Sequence, residues 1–237
     1  MSPNLHDIVK SYDVRGLVAS QLTPDVAYAL GYATCQELGL QGKGFIVGHD
    51  MRPSSPELAR ALEAGAAAAG AVVRQVGLAS TDMVYFASGL FGEAAAMITA
   101  SHNPPEYNGI KFSRAGAKGV SLNTGLSGIR DRAQELLDAG IDWVQAVESP
   151  EVTNVVTRYA EFLRGLVDIS SIRPLRIVVD AANGMGGYTV PAVLGTDAGL
   201  DGLPVEIDQM YFELDGTFPN HEANPLEPKN LVDLQAR

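Results

Sequence analysis

From Gly44 to Ala100 the chain alternates short apolar runs with helix-forming stretches, and that order leaves few folds open. GFIVGHD (44–50) is a β-branched run that ends in a loop. SSPELARALEAGAAAAG (54–70) predicts a helix. Ser55 suits its cap, Pro56 its first turn, Glu57 the positive end of its dipole, and Gly70 its stop. AVVRQVG (71–77) is a second strand, STDMVYFASGL (80–90) a shorter helix capped by Ser80 or Thr81, and AAAMITA (94–100) a third apolar run. Strand, helix, strand, helix, strand at this spacing means βαβ units, right-handed crossovers and a largely parallel sheet. Ligands bind at loops on the carboxyl ends of such strands. GHDMRPS (48–54) and SHNPP (101–105) both follow strands in this way and are expected on one rim.

The remainder predicts a second unit of the same design. IKFSRAGA (110–117) is an antiparallel return strand after a tight Asn108-Gly109 turn with positive φ. A helix follows over 124–139, capped by Asn123 or Thr124 and stopped at Gly140. Weak periodicity from Trp143 to Pro150 marks a boundary, giving domains over 1–143 and 150–237. A helix over 151–167 precedes PLRIVVDAANGMGG (174–187), a strand, loop and helix start, and LPVEIDQM (203–210), another strand. The fold class is therefore α/β: two similar α/β domains with mixed, mostly parallel sheets. The tail EPKNLVDLQAR begins a helix at Pro228 with no strand after it to close the unit. The second domain is expected to be incomplete and the chain a fragment; a natural C-terminal helix on the sheet edge is the other reading.

Composition narrows the partners. A formal net charge of −11 and a pI near 4.7 argue against nucleic acid, which selects a basic face. They leave room for an anionic small substrate in a locally positive cleft. The start, MSPNLHDIVKSYDVRG, has no apolar segment of a signal peptide. AGAAAAGAVV (64–73) is about half a membrane span. No membrane partner and a cytoplasmic location are expected. The one cysteine, Cys35, lies in an apolar run and is expected to be a buried thiol.

Residues 99–112, TASHNPPEYNGIKF, hold the densest chemistry. Ser101 follows an apolar strand, Pro104 and Pro105 stiffen the loop, and Lys111 lies on the return strand. A serine hydroxyl alone is a weak nucleophile. In one scheme His102 acts as its base, but G-x-S-x-G and its strained elbow are absent, and neighbouring side chains on an extended backbone diverge. In another, the serine carries a phosphate, whose charge needs Lys111, His102 and distant arginines nearby. A rigid turn with an incidental Ser-His pair is the bland alternative. DAANGMGG (180–187) reads as a phosphate cradle or as a plain strand-to-helix turn.

TASHNPPEYNGIKF resembles the phosphoserine loop of the α-D-phosphohexomutases, the phosphomannomutase and phosphoglucomutase group. SYDVRG (11–16) is similar to that family's N-terminal arginine motif, and VGHDMRPSSP (47–56) to its second basic loop. DGTFPNHEANP (215–225) is similar to the segment before its metal loop. The likeness runs in order along nearly the whole chain. It implies that Ser101 donates and reclaims a phosphate moved between the 6- and 1-positions of a hexose. The intermediate is a bisphosphate that turns around between half-reactions. Lys111 and Arg15 are implied in proton transfer and charge compensation, with Arg15 electrostatic because a guanidinium keeps its proton. His102 is an implied acid or base. Arg52 would hold the phosphoserine loop or a substrate phosphate, a surface arginine being its alternative, and Asn103 joins the phosphate-binding set. His49 stands where many relatives have arginine, and Asp82 where they often have proline. Tyr107 precedes Asn-Gly where glucosamine-phosphate mutases tend to be acidic, which tilts the reading toward phosphomannomutase or phosphoglucomutase.

The resemblance further implies Mg²⁺, held by a phosphate oxygen on Ser101 and three aspartates of a D-x-D-x-D loop. No two aspartates here stand two residues apart. The expectation is a phosphohexomutase, most simply a phosphomannomutase, using Mg²⁺ and hexose 1,6-bisphosphate. Its partners would be a phosphosugar and missing C-terminal domains, and this chain alone would be inactive. A non-catalytic half-protein that binds phosphosugar or docks a partner is the alternative, and a serine hydrolase a third.

Overall fold

The computed structural model describes residues 3–140, 151–169 and 171–237. The boundary expected between Trp143 and Pro150 lies outside the described residues. The chain divides into two compact units, residues 1–100 with 106–153, and residues 101–105 with 154–237.

In the first unit the order is β1 (Val14–Leu17), α1 (Pro24–Leu38), β2 (Gly44–His49), α2 (Ser55–Ala68), β3 (Val72–Leu78), α3 (Thr81–Phe91), β4 (Ala94–Ile98), β5 (Tyr107–Arg114), β6 (Lys118–Gly119) and α4 (Leu126–Ala139). The sheet runs β1-β5-β4-β2-β3, with β6 on β5. β2 is parallel to β3 and β4, and β5 is antiparallel to β1 and β4. Both predicted crossovers, α2 and α3, are present.

Side chains alternate across this sheet with period two. Phe45, Val47, Ala94, Ala96, Ile98, Ile110 and Phe112 share one core with residues of α1, α2 and α4. Ile46, Ala95 and Met97 are equally buried but outside that cluster. They belong to the other face, where a Cβ on Gly48 would meet Val84 of α3. Helices therefore cover both faces, as a mostly parallel sheet requires. A Cβ on Gly31 would lie 2.0 Å from the Leu62 carbonyl, and one on Gly65 2.0 Å from that of Tyr28. These two glycines let α1 and α2 touch backbone to backbone. Cys35 is buried in this core, and burial raises its thiol pKa.

Several local expectations are corrected. Ser54, not Ser55, is the α2 N-cap, and it makes no side-chain cap bond. The 124–139 helix is preceded by a 3₁₀ turn over Leu122–Thr124, and Gly125 takes the cap position. The return strand starts at Tyr107 and ends at Arg114.

In the second unit, α5 (Val156–Gly165), β7 (Leu175–Asp180), α6 (Gly186–Leu194), β8 (Val205–Met210) and α7 (Val232–Ala236) follow in order. The helix expected over 151–167 is shorter: Val155 is its N-cap, and just before it the Asn154 side chain accepts a bond from the Val156 amide at 2.9 Å. β7 and β8 pair in parallel. Arg164 donates to the carbonyls of Val193, Gly195 and Asp201, so a guanidinium sits at the C-terminal end of α6, where the helix dipole favours a cation. In the Gly-rich turn Ala182 and Asn183 adopt positive φ, and buried Asn183 donates to the Glu213 carbonyl and accepts from Asn220. Among the described residues no helix is long and apolar enough to cross a membrane.

Candidate active site

The site is built on the carboxyl end of β4. Thr99 and Ala100 are buried, and the chain then emerges at Ser101, which is exposed together with His102. Ser101 has φ 55°, a left-handed conformation uncommon for a residue with a Cβ. The extended backbone expected at 101–102 is thus corrected. Ser101 Oγ lies 3.4 Å from His102 Nδ1, so the two side chains converge rather than diverge. A strained backbone at the hydroxyl, expected to be absent, is present. Asn103 is half-buried, and Pro104 and Pro105 are exposed.

The Asn-Gly pair is not a turn. Asn108 and Gly109 lie within β5, and Asn108 is fully buried. Its amide donates to Ser54 Oγ at 2.8 Å and Ser55 Oγ at 2.9 Å, and its oxygen accepts from the Gly109 amide at 2.8 Å. Gly109 serves close approach instead of positive φ. A Cβ there would stand 2.4 Å from the Val14 carbonyl oxygen and 2.7 Å from that of Thr99. This glycine lets β1, β5 and the end of β4 lie tightly side by side.

The loop after β2 is bolted to the same place. The Asp50 amide donates to the Ile98 carbonyl at 3.0 Å, which puts that loop beside the end of β4, as expected of a shared rim. Asp50 Oδ1 accepts from the Arg52 amide at 3.0 Å and from Ser55 Oγ at 2.6 Å. Arg52 Nη1 donates to the Tyr107 carbonyl at 3.0 Å, and its Nε lies 3.4 Å from Asp50 Oδ2. The Arg52 side chain has no exposure at all. It is neither a surface arginine nor open to a substrate phosphate. Of the two placements expected for it, its bond to the Tyr107 carbonyl puts it at the base of the loop that carries Ser101. Burial lowers its pKa and the Asp50 charge opposes that shift.

Arg15 and Lys111 are brought together. Arg15 is the register partner of Gly109, and Lys111 lies two residues along the same strand, so both project from one face. Asp13 Oδ2 accepts from Arg15 Nη2 at 2.9 Å and from Lys111 Nζ at 3.3 Å. Arg15 and Lys111 keep 34% and 25% side-chain exposure, enough to meet a ligand, while Asp13 keeps 12%. Thr99 shares the row of Gly109, donating its amide to the Gly109 carbonyl at 2.9 Å, and Ser101 follows it by two residues. Sequence reasoning missed Asp13, Asp50 and Asn108. Asp13 could have been found from its position two residues before Arg15, just ahead of a strand. Among the described residues no three His, Cys, Asp or Glu side chains converge as a metal site. Among those residues the expected Mg²⁺ has no donor set.

Residues 6–137 match the family model described as phosphoglucomutase/phosphomannomutase, alpha/beta/alpha domain I, and residues 157–237 match that of domain II. A phosphomannomutase/phosphoglucomutase of Pseudomonas aeruginosa is 35% identical over 97% of this chain and 47% of its own length. A protein of Xanthomonas campestris named for phosphohexose mutases is 40% identical over 93% of this chain and 47% of its own. The crystal structure of a phosphoglucomutase/phosphomannomutase family protein from Burkholderia thailandensis superposes with a TM-score of 0.82 at 35% identity, over 100% of this chain and 50% of that one. The chain belongs to the phosphoglucomutase/phosphomannomutase family. It spans about half the length of the curated relatives it matches.

Proposed function

We propose that the protein is a phosphohexomutase, most simply a phosphomannomutase, and that this chain supplies its phosphate-carrying serine. The observation that carries the proposal is Ser101 itself: exposed, left-handed, and two residues beyond the strand row that contains Gly109 and Arg15. In each half-reaction the phosphorus–oxygen bond to one partner breaks as a bond to the other forms. When phosphate leaves Ser101 for a sugar hydroxyl, that hydroxyl loses a proton and the serine oxygen gains one. His102 and Lys111 are the groups proposed to carry those protons, and Arg15 balances charge on the phosphoryl oxygens. Hexose 1,6-bisphosphate is the proposed intermediate, and Mg²⁺ belongs to the proposal only for the complete enzyme.

Intact mass tests this. After incubation with glucose 1,6-bisphosphate, MgCl₂ and a C-terminal fragment of a full-length mutase, the chain should gain about 80 Da, one phosphoryl group, and Ser101→Ala should gain nothing. Binding of the sugar without a mass change would favour the non-catalytic half-protein, and equal gain in Ser101→Ala would place the phosphate elsewhere. The 237-residue chain is expected to show no mutase turnover by itself.

A further inference from the structure

We propose that Asp13 is a positioning residue that gathers Arg15 and Lys111 into one preformed cationic seat; this rests on Ser101 being the phosphate carrier. Asp13 directly precedes β1 and stands two residues before Arg15, and Lys111 lies two residues beyond Gly109, the register partner of Arg15, on the neighbouring antiparallel strand, so the three share a face. On that face one carboxylate oxygen, Asp13 Oδ2, accepts from both cations. Without it, two like charges on long, rotamer-rich side chains would repel and spread. With it they form a triad of net charge +1. A guanidinium has five N–H donors and an ammonium three, so most remain for a phosphate. Tyr85 of α3 has its pKa raised first by burial and then by the charge of Asp13.

Positioning and plain charge neutralisation by Asp13 differ in the sign of their effect. Asp13→Asn removes a negative charge. If Asp13 only neutralises, that change strengthens the field on a nearby phosphate and lowers its second pKa. If Asp13 positions, the cations disperse and that pKa rises.

The experiment installs phosphoserine at 101 during translation, in a His102→Gln background that removes the neighbouring imidazole from the titration. The phosphorus NMR shift is then followed against pH. With Asp13 in place, the phosphate should titrate below the ordinary value of about 6. Lys111→Ala should raise it, and Asp13→Asn should raise it by about half a unit. Asp13→Glu, which keeps the carboxylate, should recover most of the shift. An Asp13→Asn value equal to or below that of the parent, in a protein with an unchanged amide spectrum, overturns the inference alone. A parent phosphate that titrates as free phosphoserine and ignores Lys111→Ala overturns the reading of the site, and the role of Asp13 with it.

Discussion

Glu63 gives the sharpest test of the packing described above. It lies on α2, is 5% exposed, and both its carboxylate oxygens are 3.2 Å from the Gln75 amide nitrogen on β3. Burial raises its pKa from 4.5 to about 7, against smaller opposing effects of Gln75 and Arg60. In the unfolded chain the group ionises near 4.5 and in the folded protein near 7, so between these values the folded state holds more protons. Stability contributed by the protonated form is complete below pH 4.5 and is lost as pH rises through about 7. A shift of this size, at about 1.4 kcal/mol per unit, amounts to roughly 3 kcal/mol. Glu63→Gln keeps the shape and cannot ionise. It should match the wild type near pH 4.5 and exceed it by about 3 kcal/mol at pH 8, or roughly 6–12 °C in Tm. Calorimetric melts of both proteins from pH 4.5 to 8 check this. Parallel Tm curves, with a constant offset, would refute the reasoning, because they would show that Glu63 does not change its proton count on folding in this range.

Two further outcomes follow from the polar bolt beneath the loop. Asn108→Ala leaves the buried Ser55 hydroxyl, the half-buried Ser54 hydroxyl and the Gly109 amide short of a partner and should cost about 1–3 kcal/mol in urea unfolding. Ser101 phosphorylation by bisphosphate should also slow in that variant, as the base of the loop loosens. Gly109→Ala forces a methyl against two carbonyl oxygens, at 2.4 and 2.7 Å, and should cost about 3 kcal/mol, the upper range of overpacking. A Gly109→Ala protein as stable as wild type would show that the three strands are not so close.

The sheet was legible because its period-two pattern is interrupted by capped helices at regular spacing. The α1 helix escaped that pattern even though Thr23 caps it, Pro24 opens it and Gly39 closes it. Its residues from Val26 to Gly31 and from Ala33 to Cys35 are all buried, so apolar residues ring most of it and no amphipathic stripe remains to be read. The β1 strand is four residues long and carries an arginine in its middle, which hides it in a search for apolar runs.

Asn108-Gly109 shows where local signals fail. The pair is a strong turn signal in isolation, yet partners 53 and 54 residues away decide its structure. A buried Asn with two hydroxyl acceptors gains more from the strand than from a turn, and the glycine is required by a neighbour's carbonyl rather than by its own φ. The same distant logic governs the site. Nothing near Arg15 in sequence announces Lys111, but once β1 and β5 are antiparallel with Arg15 opposite Gly109, parity puts Asp13, Arg15 and Lys111 on one face. The charge cluster is thus a consequence of register. Sliding β5 by one residue would turn Lys111 to the core face and leave Asp13 with Arg15 alone. Gly109, whose missing side chain permits the close contact of three strands, is therefore as much a determinant of the proposed chemistry as the cations it brings together.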